Sequence, residues 1–253
     1  MMQQNWQTQK NEPLFPDILW SRPENRNGAG KLLIVGGSAD NLANVAQSYT
    51  MAEQAGVGTC FLLVPESLQK VTKNIPFIHY GPANRSGSFA ERSLSEMLDL
   101  AKNVDGIMLA GNMGKNSETS LTLDKFLSKY RGLLGINSSS LESLSLGWQS
   151  LLARDNTILE IDIKTLQQIG ISLSFDKPIT SDSPNWLIAE SLSKISMNFP
   201  TTLALYTNST IWLAQGSQVI ACDQQKYNFC KGMVWAIQQP KKQLQAIATS
   251  IIE

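Results

Sequence analysis

Five short apolar runs, KLLIV (31–35), GTCFLLV (58–64), PFIHY (76–80), DGIMLA (105–110) and GLLGI (132–136), alternate with stretches of helical periodicity. No other feature of the chain narrows its fold as much. A strand that is apolar along its whole length leaves no face for water and must be covered on both sides. Such strands, joined by helices, are the pattern of a parallel sheet between two helical layers. The helices follow from spacing. In NLANVAQSYTMAEQAG, Leu42, Val45, Ala46, Tyr49, Ala52 and Gly56 recur at three- and four-residue steps, and their small side chains let a helix lie close on a sheet. Gly56 is placed as a C-terminal stop. AERSLSEMLDLAKN sets Leu94, Met97, Leu98 and Ala101 on one side, and LTLDKFLSKY reads as a further helix.

From about residue 157 the alternation loosens. TILEI reads as a strand, and SPNWLIAESLSKI as a helix with Ser183 as its candidate cap. TTLALYT, TIWLAQG and SQVIACD then crowd together, which predicts strand pairs joined by the short turns NS and QGS. FCKGMVWAIQQ and KKQLQAIATSIIE read as helices, and the interleaved leucines of INSSSLESLSLG mark a structured segment. Residues 1–30 are polar and broken by Pro13, Pro16, Pro23, Gly28 and Gly30, so they read as an arm leading into a single domain over 31–253. The expectation is a three-layer α/β domain with a mainly parallel central sheet and a short antiparallel addition near residues 201–222.

Composition narrows the partners. Lys plus Arg equal Asp plus Glu at 21 each, so no overall charge favours nucleic acid or an anionic membrane, and any anion site must be local. Cys60, Cys222 and Cys230 form no C-x-x-C pair, and so sparse a set suits a reducing cytosol better than a disulfide framework. The polar start MMQQNWQTQKNEP lacks the apolar stretch of a signal peptide, so the expected location is the cytoplasm.

In an open parallel sheet, ligands sit beyond the carboxyl ends of the strands. Two turns have the right character: Gly36-Gly37-Ser38 after the first apolar run, and Gly111-Asn112-Met113-Gly114 after the fourth. Glycines let a ligand approach the backbone, and the N–H groups of a following helix favour an anion. Neither turn is a G-x-G-x-x-G or a Walker loop, and each could equally be a steric corner.

Taken together and in order, the turns carry a resemblance. KLLIVGGSADNLANVAQSYTMAEQAGVGTCFLLVPES and, further on, GIMLAGNMGKNSET resemble the corresponding segments of the NAD(P)H-hydrate dehydratase family. The match is good over residues 22–66 and fair over 104–136. The resemblance implies a ribokinase-like fold. It also implies repair of hydrated NADH and NADPH, with ADP or ATP phosphorylating the hydrate's hydroxyl before the phosphate leaves. By the same analogy, Gly36 to Ser38 and Gly111 to Gly114 would line the substrate pocket.

The family's chemistry rests on a Gly-rich G-T-G-D turn that opens a C-terminal helix. Its N–H groups hold the phosphoryl group and its aspartate takes the hydroxyl proton. This chain contains no Gly-x-Gly-Asp. At the corresponding place it reads QQKYNFCKGMVWAIQQ, with Lys231 near the aspartate's position and only Gly232 left of the glycines. The family's HKG reads Asn25 to Asn27, its D-A-D reads Asn137-Ser138-Ser139, and its TPH-x-GE reads Glu160 to Thr165. The expected protein is therefore a divergent, catalytically impaired relative with a nucleotide-shaped cleft. An active dehydratase using Asp223 or Asp182, and a small-molecule kinase of the same superfamily, are the alternatives. The expected partner is a small-molecule nucleotide, with ADP or ATP the cofactor of the lineage, NAD(P)H hydrate its ancestral substrate, and room for a homo-oligomer. His79, the only histidine, reads as a strand-end residue, and Trp186, Trp212 and Trp235 as core.

Overall fold

The computed structural model describes residues 6–72, 75–207, 210–223 and 227–253; the side chain of Asp223 and the expected NS turn at 208–209 lie outside that description. The strands are β1 (Gln7–Gln9), β2 (Lys31–Gly36), β3 (Thr59–Pro65), β4 (Ile78–Gly81), β5 (Gly106–Ala110), β6 (Leu133–Ile136), β7 (Thr157–Ile161), β8 (Thr202–Tyr206), β9 (Thr210–Gln215) and β10 (Gln218–Asp223). They form one sheet in the order β1-β10-β9-β8-β7-β6-β5-β2-β3-β4. Every pairing is parallel except those of β9 with β8 and with β10, so the antiparallel addition falls at 201–222. Gly216 and Ser217 make the tight turn between β9 and β10, with Gly216 at φ 57°.

The helices are α1 (Pro16–Trp20), α2 (Ala43–Gln54), α3 (Ser93–Ala101), α4 (Ser117–Lys129), α5 (Ser138–Leu141), α6 (Trp148–Leu152), α7 (Ile163–Ser172), α8 (Asn185–Asn198), α9 (Phe229–Gln238) and α10 (Gln243–Ser250). Strand residues alternate between two apolar clusters, as the period of two requires. Leu33, Val35, Ile107 and Leu109 face the cluster under α3, α4, α7 and α8. Leu32, Ile34, Met108 and Ala110 face the cluster under α2, α9 and α10. The result is three layers.

Local chemistry sets the helix ends. Asn116, Asp162 and Asn228 cap α4, α7 and α9, their side chains accepting from the N–H of Thr119, Thr165 and Lys231. Gly56, at φ 81°, stops α2. Pro184 rather than Ser183 precedes α8, and the Ser183 hydroxyl instead accepts from the Thr180 N–H at 2.8 Å.

Two expectations need correction. Part of the N-terminal arm belongs to the domain: β1 pairs with β10, and Ile18 of α1 packs against Trp235 and Ala246. The strand is held through Gln9, whose buried amide donates to the Ala248 carbonyl at 2.6 Å and accepts from the Leu14 N–H. Trp186 is not core. It is 37% exposed, with the Lys177 ammonium 4.8 Å above its ring, whereas Trp212 and Trp235 are fully buried.

The chain order sets where the sheet opens into a crevice. From β2 the chain moves outward to β3 and β4, then returns to β2's other side as β5 and continues outward through β6, β7 and β8. The order therefore reverses between β2 and β5, and the helices that follow these strands diverge from a crevice at their carboxyl ends.

Candidate functional site

The two glycine-bearing turns meet at that crevice. β2 and β5 pair with Gly36 opposite Ala110, so Gly36 to Ser38 and Gly111 to Gly114 leave the sheet side by side. The contact is too close for a side chain, since a Cβ on Gly36 would lie 1.9 Å from the Ala110 carbonyl oxygen. Gly111, at φ 74°, has its open side against Asn44 and Val45 of α2. The turns are also bonded from within. The Ser38 N–H donates to the Asn41 carbonyl, the Met113 N–H to the Ser143 hydroxyl, and the Gly114 N–H to the Asn112 side chain at 2.8 Å. The Ser140 hydroxyl donates to the Gly111 carbonyl at 3.0 Å. Met113 is wholly buried in the core. Packing and internal bonds thus account for much of the glycine and serine pattern.

Beside these turns, on the α2 and α9 side of the sheet, lies a polar cavity of about 320 Å³. Met108 of β5, Asn137 after β6, Glu160 of β7 and Tyr206 of β8 line its strand side. Asn44, Gln47 and Ser48 of α2 and the segment Tyr227 to Cys230 at the start of α9 line the rest. None of the seven glycine-turn residues is part of this wall.

Glu160 is the feature of the cavity that most needs explaining. It is the fourth residue of the strand TILEI, whose other positions are buried. Its Oε2 accepts from the Ser138 N–H at 3.2 Å and from the Ser138 hydroxyl at 3.4 Å. Burial nevertheless pushes its carboxyl above the usual range, with the bonds from Ser138 and the nearby Tyr227 hydroxyl pulling the other way. Burial, followed by the Glu160 charge, raises the Tyr227 phenol well above its ordinary value. The Tyr227 hydroxyl is buried and lies against Glu160, at a geometry short of a full hydrogen bond. The cavity wall therefore carries a half-buried acid held by Ser138 and a buried hydroxyl bonded with poor geometry, and incomplete pairing of buried polar groups costs free energy.

Its other walls are chemically quiet. The Cys230 thiol, raised to about 12 by burial, donates to the Ser48 carbonyl at 3.1 Å. So high a value leaves almost no thiolate at neutral pH, and Cys230 is a poor nucleophile. At the start of α9, the Asn228 side chain occupies the Lys231 N–H at 3.0 Å.

The remaining candidates lie elsewhere. His79 is in β4, its ring tilted 6.0 Å from that of Phe61. Asp182 is exposed in the loop before α8. Asp223 ends β10 opposite Thr210. Lys115, near the second turn, is paired with Glu142 at 2.8 Å. Among the described residues no group of three His, Cys, Asp or Glu is placed to hold a metal ion, and no helix is long and apolar enough to cross a membrane. Glu160 was visible in sequence only as part of a displaced segment. The signal that could have singled it out is a lone acid near the carboxyl end of a buried parallel strand.

No protein-family model matches the chain. A segment of 104 residues is 27% identical to the bifunctional NAD(P)H-hydrate repair enzyme of Hyperthermus butylicus, covering 41% of this chain and 19% of that enzyme. The match thus spans about a fifth of the relative's length. Among solved structures, a ribokinase-like superfamily protein from Enterococcus faecalis superposes with a TM-score of 0.72 at 12% identity, over all of this chain and 87% of that one. The ADP/ATP-dependent NAD(P)H-hydrate dehydratase of Bacillus subtilis, crystallised with ATP and Mg2+ and soaked with CoA, superposes with a TM-score of 0.60 at 12% identity, over 96% and 87%. The fold is ribokinase-like, and the resemblance to the NAD(P)H-hydrate dehydratase family has support from both sequence and structure.

Proposed function

We propose that this chain is a NAD(P)H-hydrate dehydratase-like protein that retains a nucleotide-shaped cleft and has lost most of the family's catalysis. The observation that carries the reading is the start of α9. Phosphorylating an alcohol needs a base for its proton and donors for the phosphoryl charge. Here Tyr227 to Gly232 supplies a lysine and a single glycine, and the N–H of Lys231 is already taken by Asn228. The nearest acid in the cleft, Glu160, would repel a phosphoryl group when ionised. ADP or ATP is the ligand the lineage suggests, given that the Bacillus subtilis structure was obtained with ATP and Mg2+. The cytoplasm remains the proposed location.

The test is an assay that follows NADH regeneration from its hydrate with ADP or ATP, run beside an intact dehydratase. Losing one preorganised anion donor costs about 100- to 1000-fold in rate, and the base is missing as well. The expected result is turnover below that control by at least this factor. Turnover near the control's rate would overturn the reading in favour of an active dehydratase. The residues to substitute would then be Asp223 and Asp182.

A further inference from the structure

β4 ends the sheet on the side away from β1, with β3 as its one neighbour among the described residues. The register says which of its backbone groups face the open side. Leu62 of β3 is level with Ile78, and the Leu62 N–H donates to the Phe77 carbonyl. In a parallel pair a residue bonds to the two partners that flank the one it faces. Phe77, His79 and Gly81 therefore turn their backbone groups towards β3, and the N–H and C=O groups of Ile78 and Tyr80 point outward. Such an edge is a template for a further strand unless a charge or a proline within it blunts the pairing. Ile-His-Tyr-Gly contains no proline and no Asp, Glu, Lys or Arg. Two large apolar side chains stand out beside it, Val71 at 69% exposure and Phe77 at 60%. Phe77 is held at φ 52°, a left-handed conformation that a bulky residue keeps only where its surroundings impose it. Its ring meets that of Phe61 edge-on, with the centroids 5.7 Å apart.

We propose that β4 pairs with β4 of a second copy of this chain, antiparallel and about a two-fold axis through His79, so that the two sheets run on as one. The outward pattern sets both the occupant and the register. A two-fold contact needs a surface complementary to itself. Ile78 and Tyr80 lie symmetrically about His79, and each offers one donor and one acceptor. In an antiparallel pair, facing residues that exchange both bonds alternate with facing residues that exchange none. Setting Ile78 of each copy opposite Tyr80 of the other uses every outward N–H and C=O group of the two strands. His79 then faces His79 of the second copy in the closely spaced, unbonded position. Phe77 comes beside Gly81 of the second copy, which has no side chain to displace. This contact is independent of what the crevice binds.

The experiment is light scattering of the full chain after size exclusion, over a range of concentrations. Wild type is expected at twice the monomer mass or more. His79→Glu and His79→Lys each set like charges face to face on the axis, and each is expected to weaken the association by at least about 10-fold in Kd. An equal mixture of the two variants is expected to restore the wild-type mass, because opposite charges then meet. That rescue depends on the register and would not follow from damage to either variant's fold. A monomeric wild type overturns the proposal. So does an oligomer that neither substitution weakens, or one that the mixture fails to restore. Should a charged variant fail to fold, His79→Cys decides. Facing residues in the unbonded position lie within disulfide reach, and Cys60, Cys222 and Cys230 are buried. Oxidised glutathione, itself reduced to two thiols, is expected to join the two introduced thiols into a covalent dimer on a non-reducing gel. No covalent dimer overturns the proposal.

Discussion

Two neighbouring regions of the crevice are built on opposite terms. The glycine turns after β2 and β5 are closely packed: the N–H groups of Ser38, Met113 and Gly114 are spent on nearby carbonyls and side chains, and the Ala110 carbonyl fills the space a side chain on Gly36 would need. The cavity beside α9 is lined by a half-buried acid whose carboxyl is raised by burial, against a buried hydroxyl bonded with poor geometry. The turns are packed and bonded as they stand, whereas the cavity wall keeps polar groups in imperfect pairing. Local rules are broken most often at functional or strained sites, and of the two regions only the cavity wall breaks one.

The sharpest way to break this contrast is at Gly36. Gly36→Val would drive a Cβ into the Ala110 carbonyl. Backbone cannot yield as a flexible side chain does, so the register of β2 against β5 must give. Overpacking in a closed core costs about 1–3 kcal/mol and at times more, and a clash with backbone belongs at or beyond the upper end. The expected outcome is an insoluble protein or a melting temperature lowered by about 6–12 °C or more, taking about 2–4 °C per kcal/mol for a chain of this size. An unchanged melt would mean that the turn is not closed as described.

The next effect is expected at Glu160, with the opposite sign. Its carboxyl is raised above its ordinary value by burial, so the native state holds the proton to higher pH than the unfolded chain does. Stability is then unaffected below the usual glutamate pKa of about 4.3, and it falls as pH rises through the raised native value. Glu160→Gln should remove that fall. Urea melts across pH 4–8 should show wild type losing stability relative to the variant as pH increases. Parallel curves would show that the carboxylate is well solvated or well paired, and the contrast between the regions would lose its basis.

The same physics explains what the sequence did and did not disclose. Buried parallel strands such as KLLIV and GIMLA announce themselves because both faces must be apolar, and the glycines after them mark close approaches that no other residue allows. The switch between β2 and β5 was not legible, because strand–helix alternation leaves the strand order open. β1 was not legible, because Gln-Thr-Gln at a sheet edge carries no apolar period and is held by the amide of Gln9 reaching Ala248. Trp186 was misread because a tryptophan in a helical period looks like core, while its ring in fact lies under the Lys177 cation at the surface. Glu160 was not singled out because an acid in a strand reads as a solvated position, and its burial depends on α2 and α9 closing over the sheet.

The two regions also end in helix caps that look alike in sequence and differ in company, and this gives the smallest effect. Asn116 caps α4 beside the second turn. Its side-chain oxygen accepts from the Thr119 N–H at 2.9 Å and from the Asn84 amide at 3.0 Å, and its own amide donates to the Ser86 hydroxyl. Asn228 caps α9 at the cavity, with its side-chain oxygen on the Lys231 N–H at 3.0 Å. Replacing a cap by alanine costs about 0.5–2 kcal/mol, near 1 in most hosts. Asn228→Ala should sit at that middle value, lowering the melting temperature by about 2–4 °C. Asn116→Ala removes the cap and also leaves Asn84 and Ser86 short of a partner, so it should lie at the top of the range. Thermal melts of the two variants under one set of conditions check the order. If Asn228→Ala proved the more damaging, α9 would depend on its cap more than the turn region does on its network, and the cavity rather than the turns would be the more tightly built side of the crevice.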